Sequence, residues 1–362
     1  MDSALLGLVG FALALGLIAL GLPVAVAMGA VGVGGYWWLN GWSGTAYVLG
    51  SSPFESIFPY SFSVIPLFVM MGVFASHAGL SRSLFEAINA FIGHRRGGLA
   101  VTTVGASALF GAICGSSLAT VATIGRVALP EMARHGYAPS LSTAAVAAGG
   151  TLGVLIPPSI LLVIYGLLTQ SSIGQLFIGA LVPALLAATL YCLAVVVRVW
   201  LAPHLAPRAE RSGWATRWRT LARIWPVAAL FALVIGGIYL GLFSPTEAAA
   251  VGAAGAFLLA LFSGGLTRAT LRAAVFETAG LTGMIFFILI GAALFNFFLE
   301  ETGLPRLLIT AIETAELSPT MVLVLVLVFY VVLGCFMDSM SMILLTVPLL
   351  TPVALSLDWN LV

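Results

Sequence analysis

Six residues, GSSLAT (Gly115–Thr120), set three hydroxyl side chains, Ser116, Ser117 and Thr120, beside a glycine in a chain that is 61% hydrophobic. Hydroxyls and freed carbonyls at a helix break form a cage of hard, neutral oxygens, which suits a cation such as Na⁺. The competing reading is structural: each hydroxyl bonds a carbonyl one turn back, or its small size lets helices pack closely. A second stretch, AAGGTLGVLIPPS (Ala147–Ser159), carries Pro157 and Pro158, which remove two backbone donors and expose the carbonyls they would have bonded. Gly149, Gly150 and Gly153 allow unwinding ahead of them, and Thr151 adds a hydroxyl. This stretch is expected to complete the cage begun by Ser116 and Ser117. A third stretch, GCFMDS (Gly334–Ser339), holds Asp338, a carboxylate at membrane depth that no loop explains. An intramembrane acid is costly and marks a functional site by default. The choice for Asp338 lies between a second cation site, proton coupling and a structural pair. Arg126 stands between meeting an anionic substrate and snorkelling to the surface, and His77 reads as a packed or interfacial histidine.

These residues need a membrane around them. The 362 residues are only 7% charged, against about a quarter in soluble domains. Mean hydropathy is +1.15, and apolar stretches of about 20 residues, enough for a crossing, recur along the chain. The fold class is therefore an all-α polytopic membrane protein; a β-barrel would show short alternating segments instead. A net charge of +1 argues against nucleic acid as a partner. Cys114, Cys192 and Cys335 have no metal-ligand spacing. No Walker-type loop occurs, and no organic cofactor is implied.

Plain crossings are predicted near Ser3–Leu20, Leu22–Leu39, Phe62–Leu80, Gln175–Trp200, Ile224–Leu242, Glu247–Ser263 and Gly280–Leu299, with a longer broken one over Ser140–Thr169. Short cytoplasmic loops collect positive charge. With a periplasmic N-terminus, every arginine except Arg306 falls inside. The basic stretch at 203–223 reads as a cytoplasmic loop with interfacial Trp214 and Trp218. That count requires two segments, 97–131 and 319–355, to enter the membrane and return as reentrant hairpins, tipped at Cys114–Ser117 and Gly334–Ser339.

Four landmarks recur at nearly one offset: Gly72 with Gly291, Gly79-Leu80-Ser81-Arg82 with Gly303-Leu304-Pro305-Arg306, Gly111-x-x-x-Gly115-Ser116 with Gly334-x-x-x-Asp338-Ser339, and Pro130 with Pro352. The copies start on opposite sides of the membrane, so the repeat is inverted. Inverted repeats with broken helices mark secondary transporters. The expected organisation is an N-terminal scaffold (1–61), a first repeat (62–169) with its hairpin and a broken helix at 140–169, further scaffold (170–279) and a second repeat (280–362).

At GSSLATVATIGRVALPEMARHGY, GGTLGVLIPPS, IPLFVMMG and GCFMDSMSMILLTVPLLTPVA the chain resembles the large membrane subunit of tripartite ATP-independent periplasmic (TRAP) transporters, the dicarboxylate-permease M type of the ion transporter superfamily. The resemblance runs from residue 1 to 362. It implies an elevator-type transporter that takes up an organic acid by Na⁺ symport. Its partners would be a small four-helix membrane subunit and a periplasmic substrate-binding protein, in the bacterial inner membrane. It implies a first Na⁺ site at Ser116, Ser117, Thr120, Gly149, Gly150 and Thr151, and a second at Gly334, Asp338 and Ser339. The substrate would meet Ser116, Thr151, Pro157 and Arg126. The family pattern continues into another broken crossing with a Pro-Pro-x-Gly motif, whereas this chain stops at Val362, so the second site is expected to be half absent. A stand-alone Na⁺/carboxylate symporter is the near alternative. An intramembrane hydrolase using Ser116 or Ser117 would need a general base within reach, and His77 has no dyad spacing to supply one. A passive channel suits hairpins at mid-depth less well than alternating access.

Overall fold

The computed structural model describes residues 3–208 and 211–362. Those parts of the expected scaffold and basic loop that fall on Met1, Asp2, Ala209 and Glu210 lie outside the described residues. Along the chain run α1 (Ser3–Ala19), α2 (Val24–Ile57), α3 (Val64–His77), α4 (Leu80–Ile92), α5 (Gly98–Cys114), α6 (Ser117–Arg134), α7 (Pro139–Leu155) and α8 (Ile160–Thr169). Then follow α9 (Ile173–Leu201), α10 (Trp214–Ala222), α11 (Trp225–Tyr239), α12 (Pro245–Phe262), α13 (Arg268–Thr302), α14 (Leu304–Thr314), α15 (Pro319–Leu333) and α16 (Ser339–Ser356). Among the described residues every regular element is helical, and seven helical stretches are long and apolar enough to cross a membrane. The protein is an all-α multi-pass membrane protein.

The chain forms two compact units: residues 63–164 with 172–281, and residues 1–62 with 165–171 and 282–362. The organisation expected from the sequence divides the chain after residues 61, 169 and 279. The units, however, join 170–279 to the first repeat and 1–61 to the second, and the two hairpin segments belong to different units.

In the unit built on 63–164, lipid supplies no hydrophobic drive between helices, so small residues that allow close approach do the packing. α12 presents Ala248, Ala249, Gly252, Ala253, Ala256 and Ala260 as its buried face. α3 packs on it, with Met71 seated over Gly252. α5 is the centre: Thr102, Thr103, Ser107 and Phe110 are fully buried. Its glycines and those of α7 bring the two backbones together. A Cβ on Gly111 would stand 2.5 Å from the Gly153 Cα, closer than real side chains come. α4 follows a left-handed glycine, Gly79 (φ 74°), and α10 docks on α4.

In the other unit α1 turns into α2 over four residues, with Gly21 at φ 92°. Gly10 and Gly35 leave space for the Phe298 ring of α13, and a Cβ on Gly32 would stand 2.6 Å from the Leu294 carbonyl. Gly303, at φ 69°, then opens α14 as Gly79 opens α4.

Four elements differ from the sequence reading. α2 continues to Ile57 through a kink at Gly41 (φ 68°, ψ −179°). α13 begins at Arg268 rather than near Gly280. The basic stretch at 203–223 is not all loop, because α10 occupies its second half. Finally, α7 stays helical through Leu155, so Gly149–Gly153 does not unwind; the break falls at Ile156–Ser159 instead.

Candidate functional site

α5 ends where Gly115 adopts φ 61°, ψ 16° and its N–H donates to the Gly111 carbonyl at 2.8 Å. Ser116 is extended and caps α6, its Oγ accepting from the Ala119 N–H at 3.4 Å. The Ser116 carbonyl accepts twice from Thr120, from its N–H at 3.1 Å and its hydroxyl at 2.7 Å. Cys114 Sγ lies 3.0 Å from the same Thr120 hydroxyl. Thr120 is fully buried, while Ser116 and Ser117 are half-buried.

The second break has the same logic. α7 ends with the Ile156 N–H on the Leu152 carbonyl at 3.0 Å, and Ile156 turns extended before the cis Pro157–Pro158 bond. The Ser159 hydroxyl donates to the Val154 carbonyl, one of those the prolines leave without a backbone donor. Its Oγ also accepts from the Leu162 N–H at 3.4 Å as α8 begins.

The two breaks meet. A Cβ on Gly115 would stand 2.9 Å from the Pro158 carbonyl oxygen and 3.2 Å from the Ile160 nitrogen. One on Gly153 would stand 2.6 Å from the Thr120 hydroxyl and 2.9 Å from the Ser116 carbonyl oxygen. The carbonyl ends of α5 and α7 and the amide ends of α6 and α8 therefore converge. Helix ends carry partial charges of about half an electron, negative at the carbonyl end and positive at the amide end. The junction offers carbonyls to a cation and amides to an anion.

Of the residues singled out in the sequence, the structure gathers Ser116, Ser117, Thr120, Gly150 and Pro157 at this junction. Gly149 packs elsewhere, against Ser107 and Val104 of α5. Thr151 turns to α9: its hydroxyl donates to the Ala148 carbonyl at 2.7 Å and lies 3.2 Å from the Tyr191 hydroxyl. Arg126 is exposed, nine residues along α6 from Ser117, about 14 Å along the axis. Sequence reading missed Gly111, Gly115 and Gly153 as the residues that bring the breaks together, and Ser159 as the hydroxyl that satisfies the second one. Their signal was spacing: Gly111 and Gly115 are one turn apart, and Ser159 directly follows the prolines.

In the other unit, Asp338 caps α16. Its carboxylate accepts from the Met340 N–H at 3.1 Å, the Ser341 N–H at 3.3 Å and the Ser341 hydroxyl. An acid at a helix amide end is favoured by the dipole, so the fold gives this carboxylate a local partner. Gly334 ends α15, and Ser339 is the first residue of α16. Tyr330 of α15 and Thr346 of α16 join the arms through their hydroxyls at 2.7 Å. Ser116 and Asp338 are both helix caps, and α6 and α16 each carry a proline, Pro130 and Pro352, at one common shift of 222 residues. In sequence α6 and α16 thus align with Asp338 at the position of Ser116, one residue from the pairing with Gly115 read from sequence.

Residues 11–362 match the family described as the DctM component of tripartite ATP-independent periplasmic transporters. The chain belongs to this family. It is 37% identical over 307 residues to the C4-dicarboxylate TRAP transporter large permease protein of Pseudomonas aeruginosa, covering 84% of this chain and 71% of that one. It is 34% identical over 346 residues to the ectoine/5-hydroxyectoine large permease protein of Ruegeria pomeroyi, covering 94% and 79%. It is 31% identical over 305 residues to the sialic acid large permease protein of Vibrio cholerae, covering 82% and 69%. These relatives are transporter permeases, which removes the ground for the hydrolase reading. As a TRAP large subunit, the chain is part of a tripartite system.

Proposed function

We propose that this subunit forms the translocation path for an organic acid and moves it by Na⁺ symport through an elevator-type motion. In this reading it works with a small four-helix membrane subunit and a periplasmic binding protein. It lies in the bacterial inner membrane with its N-terminus periplasmic. The observation that carries the reading is the junction at Gly115 and Pro158, where two broken helices bring neutral oxygens and opposed helix ends to one place. Ser116, Ser117, Thr120 and Gly150 would line the first cation site. The same junction, with Pro157 and the amide ends of α6 and α8, would receive the substrate carboxylate. Thr151 and Gly149 are left out because they face α9 and α5. Gly334, Asp338 and Ser339 would supply a second cation site, with Asp338 serving both as helix cap and as the charged ligand. Dicarboxylate and sialic acid in the names of relatives support an acid as substrate. The stand-alone alternative is not favoured, because the family is tripartite.

The test is uptake into proteoliposomes under imposed Na⁺, H⁺ or K⁺ gradients, with the binding protein outside. Wild type is compared with Ser117→Ala and Asp338→Asn. Uptake that follows Na⁺, requires the binding protein and falls in both variants supports the reading. Uptake that ignores Na⁺ and survives Ser117→Ala overturns it.

A further inference from the structure

The turn between α4 and α5 gathers cationic side chains around one imidazole. Arg217 on α10 is 5% exposed, with its Nε donating to the Ala90 carbonyl at 3.0 Å in the last turn of α4. Its guanidinium stacks over Trp214 at 5.0 Å. That capping bond explains Nε only, since a terminal nitrogen of the same guanidinium is buried without a hydrogen-bond partner. His94, four residues past Ala90, has its Nδ1 buried and equally unpartnered. Burial first, then the positive fields of Arg211, Arg217 and Arg95, hold the His94 imidazole below its ordinary value. Among the described residues no carboxylate enters that set. Arg95 and Arg211 are exposed at its rim, and Trp214 and Trp218 are each 62% exposed beside it. A buried polar atom left unpaired costs free energy, and a buried guanidinium nitrogen and a buried imidazole nitrogen without partners, set among four cationic or potentially cationic side chains, suit an anion.

We propose that His94, Arg95, Arg211 and Arg217 bind the phosphate of an anionic phospholipid in the leaflet facing this turn. Arg217 and His94 are the inner donors and Arg95 and Arg211 the outer clamp. Arginine is suited to phosphate because its planar fork donates in parallel. A lipid is the source because Trp214 and Trp218 present amphipathic rings of the kind that settle at headgroup level. This site is independent of the junction at Gly115 and of the transport reading.

The test uses the full-length protein in nanodiscs of phosphatidylcholine alone or with phosphatidylglycerol, with excess inorganic phosphate as a separate arm. Wild type is compared with Arg95→Gln/Arg211→Gln, whose exposed side chains leave the packing of α10 on α4 unchanged. The expected result is a phosphatidylglycerol-dependent rise in unfolding temperature and lipid retention in native mass spectrometry. The lipid affinity that both report is weakened at least about tenfold in the variant. Equal retention by wild type and variant overturns the proposal. So does stabilisation by inorganic phosphate with no preference for phosphatidylglycerol, which would make the site one for a free anion.

Discussion

Replacing Gly115 by alanine tests the meeting of the two helix breaks directly. Two penalties add there. The residue sits at φ 61°, and a side chain in left-handed backbone costs about 1–2 kcal/mol. The new methyl also enters a space bounded by the Pro158 carbonyl at 2.9 Å and the Ile160 nitrogen at 3.2 Å, and overpacking of a fitted interior costs about 1–3 kcal/mol. The control is Gly79→Ala, because Gly79 has φ 74° but nothing within 4 Å of its Cβ position. Gly79→Ala should therefore lose only the backbone term, about 1–2 kcal/mol, and Gly115→Ala the sum, about 2–5 kcal/mol. Unfolding midpoints of the two purified variants, measured side by side in one detergent, give the ranking. Uptake assays should show Gly115→Ala impaired beyond Gly79→Ala, because the methyl pushes the two breaks apart. Equal midpoints would mean that the backbone conformation alone matters at Gly115 and that the close approach to Pro158 is not a constraint.

Other perturbations separate the remaining contacts. Asp338→Asn keeps a side-chain acceptor for the Met340 and Ser341 amides and should leave stability near wild type, whereas Asp338→Ala should lose about 0.5–2 kcal/mol; an unchanged thermal melt for Asp338→Ala would show that the cap does not matter. Ser244→Ala removes a capping box in which the Glu247 N–H donates to Ser244 Oγ at 3.3 Å and the Ser244 N–H to Glu247 Oε2 at 2.8 Å; a loss of about 0.5–2 kcal/mol is expected, and an unchanged melt refutes it. Tyr137→Phe leaves the buried Leu99 N–H without the phenol oxygen it reaches at 3.2 Å and should cost about 1–3 kcal/mol. Burial holds the Tyr137 phenol above its ordinary value, so its contribution is present below the unfolded value, about pH 10, and is lost as pH rises through the folded one. Alkaline melts of wild type should show that decline and Tyr137→Phe should lack it; parallel curves would refute the assignment.

Hydropathy located α9, α11 and α12 to within a few residues because proline, glycine or polar residues bound each uninterrupted apolar run. It lost the second half of α2, where Gly41, Ser51, Ser52 and Pro53 look like breakers, although Gly41 only kinks the helix. It lost the first turns of α13 because Arg268, Arg272 and Glu277 read as loop, while a helix that leaves the bilayer keeps its hydrogen bonds in water as well. α10 was hidden for a similar reason: arginine and tryptophan at an interface suit a loop and a helix equally. At the site, both breaks could be read from Gly115-Ser116 and Pro157-Pro158. The role of the α7 glycines could not, since glycine permits unwinding and close packing alike. Only the position of α6 decides that Gly153 is there to admit Ser116 and Thr120. Asp338 was noticed for its charge, but its local purpose depends on where α16 begins.

The 35 residues of α13 also have a consequence for depth in the bilayer. Between Glu277 and Glu300 the helix has no charged residue, a stretch of about 33 Å at 1.5 Å per residue, against a hydrocarbon layer of about 30 Å. Arg272 and Glu277 stand at one end and Glu300 and Glu301 at the other. Sliding the helix by a turn, about 5.4 Å, would draw Glu277 in one direction, or Glu300 and Glu301 in the other, into lipid, at about 2.5–3.5 kcal/mol for a charge that reached the centre. The charges act as stops at both faces and hold α13 at one level.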